Sequence, residues 1–213
     1  MDVLDNYKKA WKNQPEESNK LSSVEIYKMA QSRSSSIVKW IFIVGVLEFI
    51  LWTVVNITIP DRFYKIYEDL NLMEYLNIFM GLHYVIILVF LFLFYRNYKR
   101  VSLLENTKKL IQKILKIRKT VKYYVFYNLA TVSLGCIILN MFMFSDNNKL
   151  MKVMNPDNLA LDIQQVITIT IISQIIGLLI ILVLLWLFYK LVYGILLRKL
   201  NKNYKELVKL TYN

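Results

Sequence analysis

Four long apolar runs constrain this chain more than any other feature. They cover residues 37–59, 75–95, 123–144 and 166–189, which is 23, 21, 22 and 24 residues. At about 1.5 Å rise per residue, each is long enough as a helix to cross the roughly 30 Å hydrocarbon core of a bilayer. A soluble fold can bury one or two such runs, but four in 213 residues leave too little polar surface to cover them. The expectation is an all-α fold, a four-transmembrane-helix bundle. The interior charges of the first run, Lys39 and Glu48, fit it: Lys39 is close enough to the end to snorkel.

Lysine and arginine set the expected orientation. Residues 1–39 carry seven, the loop after the first run two, residues 96–122 ten, the next loop two, and the segment from 190 to 213 six. Basic and non-basic segments alternate, so both termini and the middle segment are expected in the cytoplasm (N-in/C-in). Trp40, Tyr95, Tyr98, Tyr123, Tyr124, Trp186, Tyr189 and Tyr193 mark the same boundary and read as an interfacial aromatic belt. The first 36 residues are polar, so no cleavable signal peptide is expected and the first apolar run serves as the insertion signal. Lysine outnumbers arginine 21 to 6, which reads as AT-rich coding and a bacterial inner membrane. The net charge of +12 is explained by this topology, so no nucleic-acid partner is expected.

The segments between the spans predict amphipathic cytoplasmic helices. In residues 1–36, Val3, Leu4, Tyr7, Ala10 and Trp11 make one apolar stripe, and Leu4, Tyr7 and Trp11 are the candidate partner-binding face. Ser22-Ser23-Val24-Glu25 is a capping box that starts a second helix, expected to loosen at Ser34-Ser35-Ser36. In residues 96–122, Ser102-Leu103-Leu104-Glu105 is another capping box. Leu103, Leu110, Ile114, Ile117 and Val121 follow it at helical spacing. Lys108, Lys109, Lys113, Lys116 and Lys119 fill the other faces, which suits either anionic lipid headgroups or packing on neighbouring helices. Leu196, Leu200, Tyr204 and Leu207 carry a stripe into residues 190–213. The outer loops have no comparable pattern, so a cytoplasmic protein partner is the expectation.

Two ionisable groups stand out within the runs, Glu48 in the first and His83 in the second. Groups in such positions usually face the bundle interior and find a partner. They are a candidate intramembrane pair, either a registry-fixing hydrogen bond or a proton-linked site. Thr131 with Gly135, and Ser173 with Gly177, are small-xxx-small pairs suited to close helix approach. With one histidine and one cysteine, and neither a phosphate-binding glycine loop nor a metalloprotease motif, no cofactor, metal or catalytic constellation is expected.

The stretch Glu25-Ile26-Tyr27-Lys28-Met29, followed by Ser34-Ser35-Ser36-Ile37-Val38-Lys39-Trp40-Ile41-Phe42-Ile43, resembles a family of bacterial four-span membrane proteins of unassigned activity. Some members are labelled carotene-cleaving oxygenases. Such oxygenases hold iron through four histidines, whereas this chain has only His83. Other members are suggested to accompany alternative sigma factors, so the resemblance implies an anti-sigma-like membrane regulator. The functional expectation is a membrane-anchored interaction or regulatory protein, with a small transporter or channel component using Glu48 and His83 as the alternative.

Overall fold

The computed structural model describes residues 23–102, 106–145, 147–155 and 162–212. Among these residues there is no strand. Four long helices dominate: α1 (Ser23–Thr58), α3 (Met73–Ser102), α4 (Thr107–Met143) and α6 (Ile163–Tyr212). Two short helices, α2 (Lys65–Asp69) and α5 (Asn147–Met154), lie in the connections at one end. All four long helices are long and apolar enough to cross a membrane. The candidate face Leu4, Tyr7 and Trp11 lies outside the described residues.

The helix ends follow local chemistry. α1 stops two residues before Pro60, which cannot continue a helix ladder and disfavours helical backbone before it. A 3-10 turn, Asp61–Phe63, then leads into α2. Asn71 takes the left-handed conformation (φ 55°) that asparagine tolerates better than most residues, and the chain reverses there into α3. α4 starts at Asn106, whose side-chain oxygen accepts from the Lys108 backbone N–H at 2.8 Å. The residues of the expected capping box at 103–105 lie outside the described set.

Each long helix neighbours the next in sequence, and α6 closes back onto α1. This is the up-down-up-down arrangement that short connections favour. Hydrogen bonds confirm the antiparallel register of α1 and α6. Ser34 meets Asn203 and Glu48 meets Tyr189, and the same number of residues separates the two contacts on each helix.

Two expectations about continuity change. Residues 96–122 are not a loop carrying a separate helix, because α3 extends to Ser102 and α4 runs unbroken from Thr107 to Met143. Nor does α1 loosen at its serines. Ser34 is fully buried and accepts a hydrogen bond from the Asn203 amide at 3.2 Å, so tertiary pairing holds the helix through that stretch. α6 likewise continues without a break through Leu200 and Leu207.

The larger core lies at the lysine- and arginine-rich end. Leu110, Ile114, Ile117 and Val121 of α4 are fully buried there with Val38 of α1, Val101 of α3, and Leu200 and Leu207 of α6. Of the two readings of the α4 stripe, the structure selects helix packing, so its apolar side chains do not face lipid. A smaller cluster at the other end joins Leu70, Leu72, Met143, Leu150 and Val166. The connections at that end therefore do form a hydrophobic cap, contrary to the sequence expectation. No single segment carries its pattern, because α5 spans only 8 residues and its partners come from α2, α4 and α6.

Candidate functional site

Glu48 is the best-defined polar group in the interior. It projects from α1 toward α6, where Tyr189 and Tyr193 stand one helical turn apart on the same face. The Tyr189 hydroxyl donates to Glu48 Oε1 at 2.6 Å and the Tyr193 hydroxyl donates to Oε2 at 2.9 Å. Both carboxyl oxygens are thus engaged, and the group is 4% exposed. Tyr124 of α4 closes the third side, with its ring edge-on to Tyr189 at 6.3 Å and to Tyr193 at 5.8 Å. Phe94 of α3 packs edge-on against Tyr124 at 5.5 Å, so all four long helices contribute to one cluster.

This cluster revises the aromatic belt. Trp40, Tyr95, Tyr123 and Trp186 are exposed, as residues at a membrane boundary would be. Tyr124, Tyr189 and Tyr193 are buried and face Glu48 instead. Sequence reading missed these partners because tyrosines near the end of an apolar run look the same whether they point outward or inward. The signal available was the i, i+4 spacing of Tyr189 and Tyr193, which places both hydroxyls on one face.

His83 has a different partner. Its Nδ1 shares a 3.1 Å hydrogen bond with the Tyr127 hydroxyl of α4, and the two rings stack at 5.6 Å. The structure therefore does not join Glu48 to His83; each is bonded to tyrosine. A buried carboxyl with no partner is costly, and phenol hydroxyls on a facing helix relieve that cost.

The glycines also sort differently from the sequence expectation. A Cβ on Gly45 would lie 2.9 Å from Leu91 Cδ2 and 3.3 Å from Phe94 Cδ2, so this glycine permits close approach of α1 and α3. Gly177, by contrast, has open space where its Cβ would be, and Ser173 bonds back to the Thr170 carbonyl of its own helix. Close packing thus falls on α1 against α3.

Beyond Glu48, the basic end is cross-linked by side chains. Arg118 donates to Asn201 Oδ1 at 2.8 Å, and Gln31 donates to the Val101 carbonyl at 3.5 Å. Exposed Arg33 and half-buried Glu206 form an ion pair at 3.8 Å. Lys108, Lys109, Lys116 and Lys119 are exposed on α4, while Lys113 is half-buried. Burial first, then the nearby Arg100, Lys116 and Arg96 charges, depress the Lys113 ammonium to about 8. Among the described residues, no group of three histidine, cysteine or acidic side chains is placed to hold a metal.

Fold and interior together define a class: an all-α bundle whose four long helices have the length and composition to cross a membrane. Within that class the chain belongs to the DUF8845 family, a domain of unknown function matched over residues 24–212. No curated protein and no solved structure matches it.

Proposed function

We propose that this chain is a membrane-anchored interaction or regulatory protein of the bacterial cytoplasmic membrane, with its basic end in the cytoplasm. The observation that carries the reading is the packing of that end. The apolar stripes of α4 and α6 are consumed by the core, so lysines and arginines are left on the outside of an ordered helical body. Such a surface suits an acidic protein partner, with anionic lipid headgroups alongside it at Lys108, Lys109, Lys113, Lys116 and Lys119. The orientation rests on the lysine and arginine distribution. The resemblance to proteins suggested to accompany sigma factors makes a transcription regulator one candidate partner, and Leu4, Tyr7 and Trp11 remain the proposed apolar recognition face.

The transporter alternative has less support, because both Glu48 oxygens are occupied by tyrosine hydroxyls in a closed cluster. The test is crosslinking of the protein in native membranes, with partners identified and compared between wild type and Trp11→Ala. Capture of a soluble cytoplasmic protein that falls several-fold in the variant supports the reading. Unchanged recovery removes the recognition face. Absence of any partner, together with proton-coupled flux in proteoliposomes that Glu48→Gln abolishes, favours transport.

A further inference from the structure

A polar groove of about 480 Å³ lies between α1 and α3, lined by Lys28, Gln31, Ser32, Ser35, Ser36, Lys39 and Tyr98. We propose that this groove binds a phosphate group, as carried by an anionic phospholipid headgroup. The α1 residues recur at three- and four-residue intervals and so share one face of the helix. Lys28 and Lys39 stand at its two ends, three turns and about 16 Å apart. Three serine hydroxyls lie between them. Tyr98 of α3 forms the opposite wall.

Ammonium groups and hydroxyls are the donor set that a phosphate accepts from. Among the described residues, no acidic side chain lines the groove, and neither Lys28 nor Lys39 is in an ion pair. The depth also fits a lipid source. Lys39 is the third residue of the first apolar run. Exposed Trp40 follows Lys39 directly and exposed Tyr95 precedes Tyr98 by one turn, at the level expected of a membrane boundary. The site is separate from the lysines of α4 and does not depend on a protein partner.

The full-length chain in detergent provides the test, with bound lipid counted by native mass spectrometry. The probes are phosphatidylglycerol, phosphatidylcholine and inorganic phosphate. Phosphatidylglycerol is expected to bind more tightly than the zwitterionic lipid, and Lys28→Gln with Lys39→Gln to weaken it about fivefold per lysine removed. Ser32→Leu, which fills the groove and keeps both charges, is expected to weaken it as well. Arg62→Gln with Lys65→Gln, at exposed positions in the connection at the other end of the bundle, is expected to leave it within twofold. If inorganic phosphate competes and shows the same dependence on the groove variants, the site is confirmed with free phosphate as its source. Equal phosphatidylglycerol binding by wild type and both groove variants, or an equal loss in the Arg62 and Lys65 control, overturns the proposal.

Discussion

At the basic end of the bundle, all four long helices supply fully buried side chains to one core, and polar side chains cross-link them. At the opposite end, a cluster of five buried residues is assembled from connections and helix tips. Between the two, the 18-residue apolar windows are largely exposed: 17% of each window in α1 and α3 is buried, and none in α4 and α6. A membrane around the exposed windows accounts for that difference. Where helices emerge into water, the hydrophobic effect drives their apolar stripes together. Within lipid the surroundings are as apolar as leucine, so association relies on packing and hydrogen bonds. The Glu48 cluster and the Gly45 contact are those two devices.

The largest test of this contrast is truncation of the buried leucines. Leu200→Ala at the basic end is expected to cost about 2–5 kcal/mol, whereas Leu150→Ala in the smaller cap should fall at or below the low end of that range, since a small cluster collapses more easily around a void. Equal costs, read from denaturant unfolding in detergent, would break the comparison.

Next in size is the carboxyl clamp. Replacing both Tyr189 and Tyr193 by Phe leaves the buried carboxyl of Glu48 without either donor, at an expected cost of about 1–3 kcal/mol. Adding Glu48→Gln to that double variant should recover part of the loss, which a double-mutant cycle reads directly. Asn203→Ala, which removes the donor to buried Ser34, should cost about 1 kcal/mol.

The smallest effects belong to the exposed surfaces. Leu179→Ala, at an exposed position in the apolar stretch of α6, should shift stability by less than about 0.5 kcal/mol. Lys113 offers a pH test at the basic end. Its ammonium is depressed in the folded state to about 8 from the ordinary 10.5. Between those values the unfolded chain holds a proton that the folded chain has released, so stability rises with pH across that window and levels off above it. Lys113→Gln should flatten that rise in thermal unfolding measured from pH 7 to 11.

Much of this architecture was legible in the sequence. Run length identified the four helices, and the spacing of Leu110, Ile114, Ile117 and Val121 identified the face of α4 that is buried. That spacing was silent on whether lipid or protein covers the face, because both are apolar. Glu48 was legible as an interior group needing a partner, but choosing among His83 and the tyrosines required the register between α1 and α6. The serines at 34–36 suggested a weak helix because local propensity does not register the Asn203 amide waiting opposite Ser34. The cap was hidden for a related reason, since its members are scattered over four segments.

The unbroken course of α6 has a mechanical consequence. Its 50 residues make a rod about 75 Å long. No proline interrupts it. Tyr189 and Tyr193 pin that rod to α1 at a point nearer its C-terminal end. Asn203 pins it to α1 a second time at Ser34, about 21 Å beyond Tyr189, so its C-terminal arm is fixed at two points and its N-terminal arm is held by the distal cap. With no proline to act as a hinge, strain at Ile163 and the distal cap runs along one continuous helix toward the lysine-bearing end.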